Sequence, residues 1–339
     1  MKRLLLTIVC IALLAAWPAV SIAQTNLRIA SGVVGSLNYA LATGIAAVYQ
    51  THTGETLEVL TKELTATVPQ LYAGQYEIAS QVNAAAYIFY NSIDPRTLER
   101  TDNKERPAMR LLMLGSASPM GFLAYKSSGM TKASELRGKR VTLRYGHFSV
   151  QLMAKANLLA AGLTEEDITV VQASNIPKGA ELLNSGTVDA CYGAVTVPAF
   201  RELDAAKGGV RFLTYEPTPE IRQNVRNFFP GAVFLDANPD PGVVGIPEHM
   251  TLLGVNNSLI SATNVPDDVI YKFVKTIYEN RADLIPYSHD FVAWQDEPPV
   301  STYAAAPFHN GAIRFYKEAG LWTAEMEEWN QKLLDLYPD

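Results

Sequence analysis

The residues best suited to chemistry sit at three strand-to-helix junctions, and the chemistry they suit is anion binding. The first is Gly35-Ser36-Leu37-Asn38-Tyr39, within RIASGVVGSLNYALATGIAAVYQ, which starts like a strand and continues as a helix. The second is Glu63-Leu64-Thr65-Ala66-Thr67, ahead of Val68-Pro69. The third is Arg144-Tyr145-Gly146-His147-Phe148-Ser149. Each sets hydroxyls and free backbone N–H groups at a helix start, where the macrodipole favours negative charge. A carboxylate binds at such a turn without a metal. Plain N-capping by Ser and Thr explains any one of these turns alone. Three of them at the carboxyl ends of strands point to a shared cleft.

Arg144 is the cation to place there, since a guanidinium grips a carboxylate with two parallel hydrogen bonds. An exposed arginine balancing acidic neighbours is the competing reading. His147 is more weakly placed, a lone histidine being more often a structural hydrogen-bonder. Gln81 and Asn83, in SQVNAAAYIFYN, can turn amides into a cleft, while Tyr87, Phe89 and Tyr90 read as packing. In YGAVTVPAF a strand ends near Thr196 and Pro198, where an aromatic wall beside polar backbone suits a ligand and turn packing suits the residues as well. Catalysis lacks a signature: GxxxxGK[ST], GxGxxG, HExxH, GxSxG and CxxC are absent from the sequence. Five scattered histidines argue against a His-rich metal site. Cys191, in a strand-like run, reads as a buried cysteine before it reads as a nucleophile. No catalytic residue, metal ligand or cofactor is expected.

The elements that must position these residues alternate. NLRIASG, TLEVLTK, YEIASQV, RLLMLGS, GFLAYK, KRVTLRYG, DITVVQA, VDACYGA and GVRFLTY read as strands, with helices at LNYALATGIAAVYQ, TVPQLYAGQ, Ser149 to Ala161 and GAELLNSG. That order implies α/β architecture with parallel sheet and covering helices. The last third is helical, beginning with PDDVIYKFVKTIYENRADL and its Asp-rich first turn. Linkers of low complexity are absent, so a domain boundary falls where strands cross, near SASPMGFLAY and VVGIPEHMTLLG.

Bulk properties set the compartment. Lys2 and Arg3 precede an apolar run, Leu4 to Trp17, and Ser21-Ile22-Ala23 offers a cleavage site, which is a secretory signal pattern. The run is short for a membrane span of about 20 residues. The chain carries a net charge of −6, more negative once the signal is removed, which argues against a nucleic-acid partner. Only Cys191 would remain, so no internal disulfide is available.

In order along the chain, GVVGSLNYALATGIA, LYAGQYEIASQVN, ELRGKRVTLRYGHFSV, ELLNSGTVDACYGAVTVPAF and, above all, APFHNGAIRFYKEAGLW resemble the TAXI class of periplasmic solute-binding proteins, which serve TRAP-type transporters. The resemblance implies a two-lobed periplasmic-binding-protein fold (type II-like) with a hinge of two crossing strands. It divides the chain into a signal peptide (1–23), lobe I (24–118 plus 249–339) and lobe II (119–248). The implied ligand is a small organic acid closed between the lobes of a periplasmic monomer, and the implied partner is a TRAP-type permease. Carried over by position, Ser36, Asn38, Tyr39, Thr65, Ala66, Thr67, Gln81 and Asn83 face Arg144, Gly146, His147, Ser149, Thr196 and Pro198. The class often shows a TGGS-like second turn, an Asp after the strand's Gln and a small third turn, where this chain has ELTATV, Asn83 and RYGHFS. An acid lost and a cation gained favour a dicarboxylate or keto acid such as 2-oxoglutarate over glutamate. The alternatives are the binding component of an ATP-driven importer, a sensor partner that presents the ligand, and an exported enzyme on the same scaffold.

Overall fold

Short apolar runs form three parallel strands, β1 (Leu27–Ser31), β2 (Leu57–Thr61) and β3 (Ile78–Val82). The computed structural model describes residues 27–337, apart from 33, 35, 63, 95–96, 144–147, 207 and 289, and apart from the side chains of 64–66 and 198. The expected signal segment lies outside the described residues. Strand β1 runs between β2 and β3, parallel to both, with Ile29 opposite Val59 and Ile78.

Helix α1 (Leu37–Thr53) starts where Ser36 accepts the Tyr39 N–H, and it ends at Gly54, whose φ of 70° turns the chain. Leu41, Ile45 and Val48, spaced along one helical face, are buried. Helix α2 (Leu64–Tyr72) begins earlier than the run from Thr67 suggests, so Pro69 stands in its second turn and removes one amide donor there. Helix α3 (Asn83–Tyr90) follows β3 without a loop residue, because three consecutive alanines are strong helix formers.

The apolar segments expected as two strands around SASPM are one strand, β4 (Met109–Tyr125). Its partner β10 (Met250–Ala262) runs antiparallel to it from Leu253 opposite Met120 to Ala262 opposite Met109. Gly254 faces Pro119, and a Cβ on Gly254 would stand 2.5 Å from the Ser118 carbonyl oxygen, so the two strands cross closely only with glycine there. Beyond this crossing, β5 (Arg140–Leu143) and β6 (Thr169–Gln172) pair in parallel. A parallel bridge, Val141 to Ala190, ties β5 to the segment entering β7 (Cys191–Ala194). Strands β7 and β8 (Val210–Phe212) pair with β4, and β9 (Ala232–Ala237) pairs with β10. Helices α4 (Phe148–Ala160), α5 (Ile176–Asn184), α6 (Pro198–Ala206) and α7 (Pro219–Phe228) belong to this part. The chain then returns through α8 (Asp267–Glu279), the short α9 (Asp290–Ala293), α10 (Asn310–Glu318) and α11 (Ala324–Leu334).

Two hydrophobic cores result. The first gathers β1 to β3, the Met109–Leu114 half of β4 and the C-terminal helices; the second gathers the Phe122–Tyr125 half of β4 and the elements around it. Helix α3 serves both, with Ala86 and Tyr90 in the first core and Ala84 and Ile88 in the second. Among the described residues no helix is long and apolar enough to cross a membrane.

Candidate functional site

Strand register places the site. The carboxyl end of β3 reaches Val82 opposite Asn257, Asn256 lies opposite Ala117, and Met120 lies opposite Ala194 at the carboxyl end of β7. The carboxyl edges of both lobes' parallel strands therefore meet over one stretch of β4, Ala117 to Met120. Those four residues are only half-buried, in a strand that is otherwise almost wholly buried. Their partial exposure makes them the candidate floor of an interlobe cleft. Helices α1, α3, α4 and α6 follow β1, β3, β5 and β7 in the chain, so each starts after the carboxyl end of its strand.

In the first lobe Ser36, Leu37 and Tyr39 are half-buried at the start of α1. The Ser36 hydroxyl accepts the Tyr39 N–H at 3.3 Å, leaving the earlier amides of the turn for other acceptors. Asn38 is buried, and its Oδ1 accepts the Ser80 hydroxyl at 3.5 Å, which fixes the helix start to the end of β3. Thr67 is buried in α2 with its carbonyl taking the Tyr76 hydroxyl. Gln81 is buried, and its carbonyl accepts the Ser258 hydroxyl at 3.0 Å. The Asn83 amide binds chain instead of facing open space: Nδ2 donates to the Tyr303 carbonyl at 2.7 Å and Oδ1 accepts the Ala305 N–H at 3.2 Å. Across the cleft, Ser149 is buried in the first turn of α4, and Thr196 is exposed in the turn before α6. The Phe148 and Phe89 rings meet edge to face at 5.5 Å, joining the start of α4 to α3. Gly35, Arg144, Gly146 and His147, and the side chains of Thr65, Ala66 and Pro198, lie outside the described residues.

The structure adds floor residues that sequence reasoning missed. The Asn257 amide donates to the Ser118 hydroxyl at 3.3 Å, and the Asn256 amide donates to the Gly115 carbonyl at 2.8 Å. The available signal was NNS inside an otherwise apolar strand, where asparagine is disfavoured. The Glu297 carboxyl takes the Ala117 N–H; burial pushes its pKa up, with that hydrogen bond acting against the rise. Cys191 is fully buried, and burial alone pushes its thiol far up, which leaves it protonated and inert. Among the described residues no group of three or more His, Cys, Asp or Glu is arranged to hold a metal ion.

Solved structures share this architecture. One is a periplasmic sulfonate-binding protein, SsuA, of a sulfonate ABC transporter from Methylobacillus flagellatus, 15% identical, covering 92% of this chain and 95% of that chain at a TM-score of 0.51. Another is a TctC solute binding protein from Polaromonas, 12% identical, covering 92% and 96% at 0.51. A third is PhnD1 from Prochlorococcus marinus in complex with methylphosphonate, 8% identical, covering 87% and 98% at 0.50. The fold is thus the two-lobed α/β periplasmic-binding-protein fold expected from the sequence. The TAXI assignment and its TRAP-type permease are corrected: the family model that matches, over residues 29–320, is described as NMT1-like, and the structural match from Methylobacillus belongs to an ABC system. The chain belongs to the NMT1-like family.

Proposed function

We propose that this protein captures a small oxyanion between its lobes in the periplasm and delivers it to the permease of an ATP-driven (ABC) importer, without catalysis. The observation that carries this reading is the register that brings the carboxyl edges of two parallel strand sets together over Ala117 to Met120. Helix N-termini gathered there favour negative charge and supply N–H donors. The ligand class is a carboxylate, sulfonate or phosphonate; the sulfonate-binding and methylphosphonate-bound neighbours support the last two. Ser36 and Asn38 hold it from the first lobe, Ser118, positioned by Asn257, from the floor, and the start of α4 with Ser149 from the second. Arg144, which precedes α4 in sequence, supplies the cation. Lobes joined by two crossing strands close by hinge motion.

Native mass spectrometry of freshly purified protein, followed by titration calorimetry of the stripped protein with alkylsulfonates, alkylphosphonates and dicarboxylates, tests the reading. One anion per chain, bound unchanged, is expected. Arg144→Ala should weaken it by about 2–5 kcal/mol, the cost of leaving a buried charge unpaired. A neutral or cationic occupant, or conversion of the bound compound, would overturn the proposal.

A further inference from the structure

Away from the cleft, a second pocket of about 330 Å³ straddles the two lobes, with α7 on one wall and α3 and α11 on the other. Its volume lies at the lower end of ordinary small-ligand sites. Two cations line it around one indole. The Arg226 guanidinium lies 5.3 Å from the Trp329 ring and 5.2 Å from the Tyr303 ring, and it donates to the Thr302 carbonyl at 3.3 Å. The Lys332 ammonium lies 5.3 Å from the same Trp329 ring. Among the described residues neither cation has a carboxylate at ion-pair distance, whereas Lys317 on α10 and Lys275 on α8 both do. The Trp329 indole N–H is already committed to the Ala304 carbonyl at 3.0 Å, and both cations stand over the ring, so the indole serves to hold the cations and its donor is not open to an occupant. Concave walls around two unmatched cations focus a positive potential on the space between them.

We propose that this seam pocket is an accessory anion site, in which Arg226 and Lys332 share a carboxylate or phosphate group beside Trp329. Arg226 belongs to the second lobe and Lys332 to the first, so an occupant ties the lobes together. It stabilises the lobe arrangement it fits, and by linkage it changes affinity in the main cleft by the same factor that the cleft ligand changes affinity here. Only this coupling rests on the solute-binding reading; the pocket and its charges do not.

The test is thermal unfolding of the full chain, without any cleft ligand, in citrate and in inorganic phosphate, each against sodium chloride of matched ionic strength. A rise in Tm that saturates at millimolar citrate or phosphate is expected, with the apparent Kd weakened about tenfold or more in Lys332→Gln and in Arg226→Gln. Lys332 is exposed. Lys332→Gln should therefore keep the wild-type Tm in chloride and decides the matter even if Arg226→Gln folds poorly. The proposal falls if neither anion shifts Tm beyond chloride, or if the shift survives Lys332→Gln. It also falls if Asn257→Ala in the cleft abolishes the shift while Lys332→Gln does not, since the anion would then occupy the cleft.

Discussion

His309 and Gly311 illustrate how single residues set this fold. The His309 ring is buried; its Nε2 meets the Val265 carbonyl at 3.1 Å and its Nδ1 accepts the Gly311 N–H at 3.2 Å. The first contact calls for a proton on Nε2 and the second for a bare Nδ1, while the Asp267 carboxylate stands 3.4 Å from Nδ1 and favours the charged ring. Burial lowers its pKa below 6.5, reinforced by the Arg110 charge and opposed by Asp267 and by hydrogen bonds to backbone carbonyls. The folded state thus binds fewer protons than the unfolded state, and this contribution is complete above 6.5 and lost as pH falls from there toward the lowered native value. Urea midpoints measured at pH 7.5 and 5.5 should fall less in His309→Asn, a neutral capping residue, than in wild type; equal falls would refute this account. Gly311 sits where α10 meets α8, and a Cβ there would stand 2.2 Å from the Asp267 carbonyl oxygen. Alanine is intrinsically the better helix former by about 1 kcal/mol, yet Gly311→Ala should destabilise by about 1–3 kcal/mol through overpacking. A more stable Gly311→Ala protein would show that the close approach is not limiting.

Helix α3 packs into both cores, and it was poorly legible in the sequence. Its N-terminal Asn83 clamps residues 303–305, the Tyr87 ring lies 5.1 Å from Phe229, and the Tyr87 hydroxyl reaches the Phe228 carbonyl at 3.3 Å. Asn83→Ala leaves the half-buried Tyr303 carbonyl and the buried Ala305 N–H without that partner, which should cost about 1–3 kcal/mol. Ligand affinity should change little. A loss of affinity above tenfold at unchanged urea stability would instead make this amide a ligand contact. Helices with a clear cap and an apolar stripe, such as α1 and α8, could be read directly, because the Ser36 cap and the Asp267-Asp268 turn are local signals. Helix α3 could not, since no breaker separates it from β3. Strand β4 read as two strands because Gly115, Ser116 and Pro119 are turn formers in isolation; in the fold Pro119 pairs with Gly254, and Gly115 and Ser116 lie at a shift in register with β10 that the strand passes through. The floor residues Ser118 and Asn257 were missed for the same reason, their role depending on a partner strand 139 positions away. The PFHNGA segment misled the transporter assignment: His309 and Gly311 specify how α10 caps and packs, which says nothing of the permease.

At the scale of the molecule the question is whether two cores behave as one. Strands β4 and β10 run through both, and α3 gives Ala86 and Tyr90 to one and Ala84 and Ile88 to the other. Melting either core alone would expose one face of α3, and a buried Ile contributes about 1.5–3 kcal/mol by itself. That is enough to make partial unfolding scarce. Calorimetry should therefore give a single transition with equal calorimetric and van't Hoff enthalpies. Ile88→Ala, which removes about 2–5 kcal/mol from the second core's hold on α3, should broaden or split it. The proposed cleft ligand would contact both lobes, so at a hundredfold excess over Kd it should add about 2.7 kcal/mol and move the whole transition together. Two resolved transitions in the wild-type protein, only one of them shifting with ligand, would mean that α3 does not couple the cores and that the ligand is held by one lobe alone.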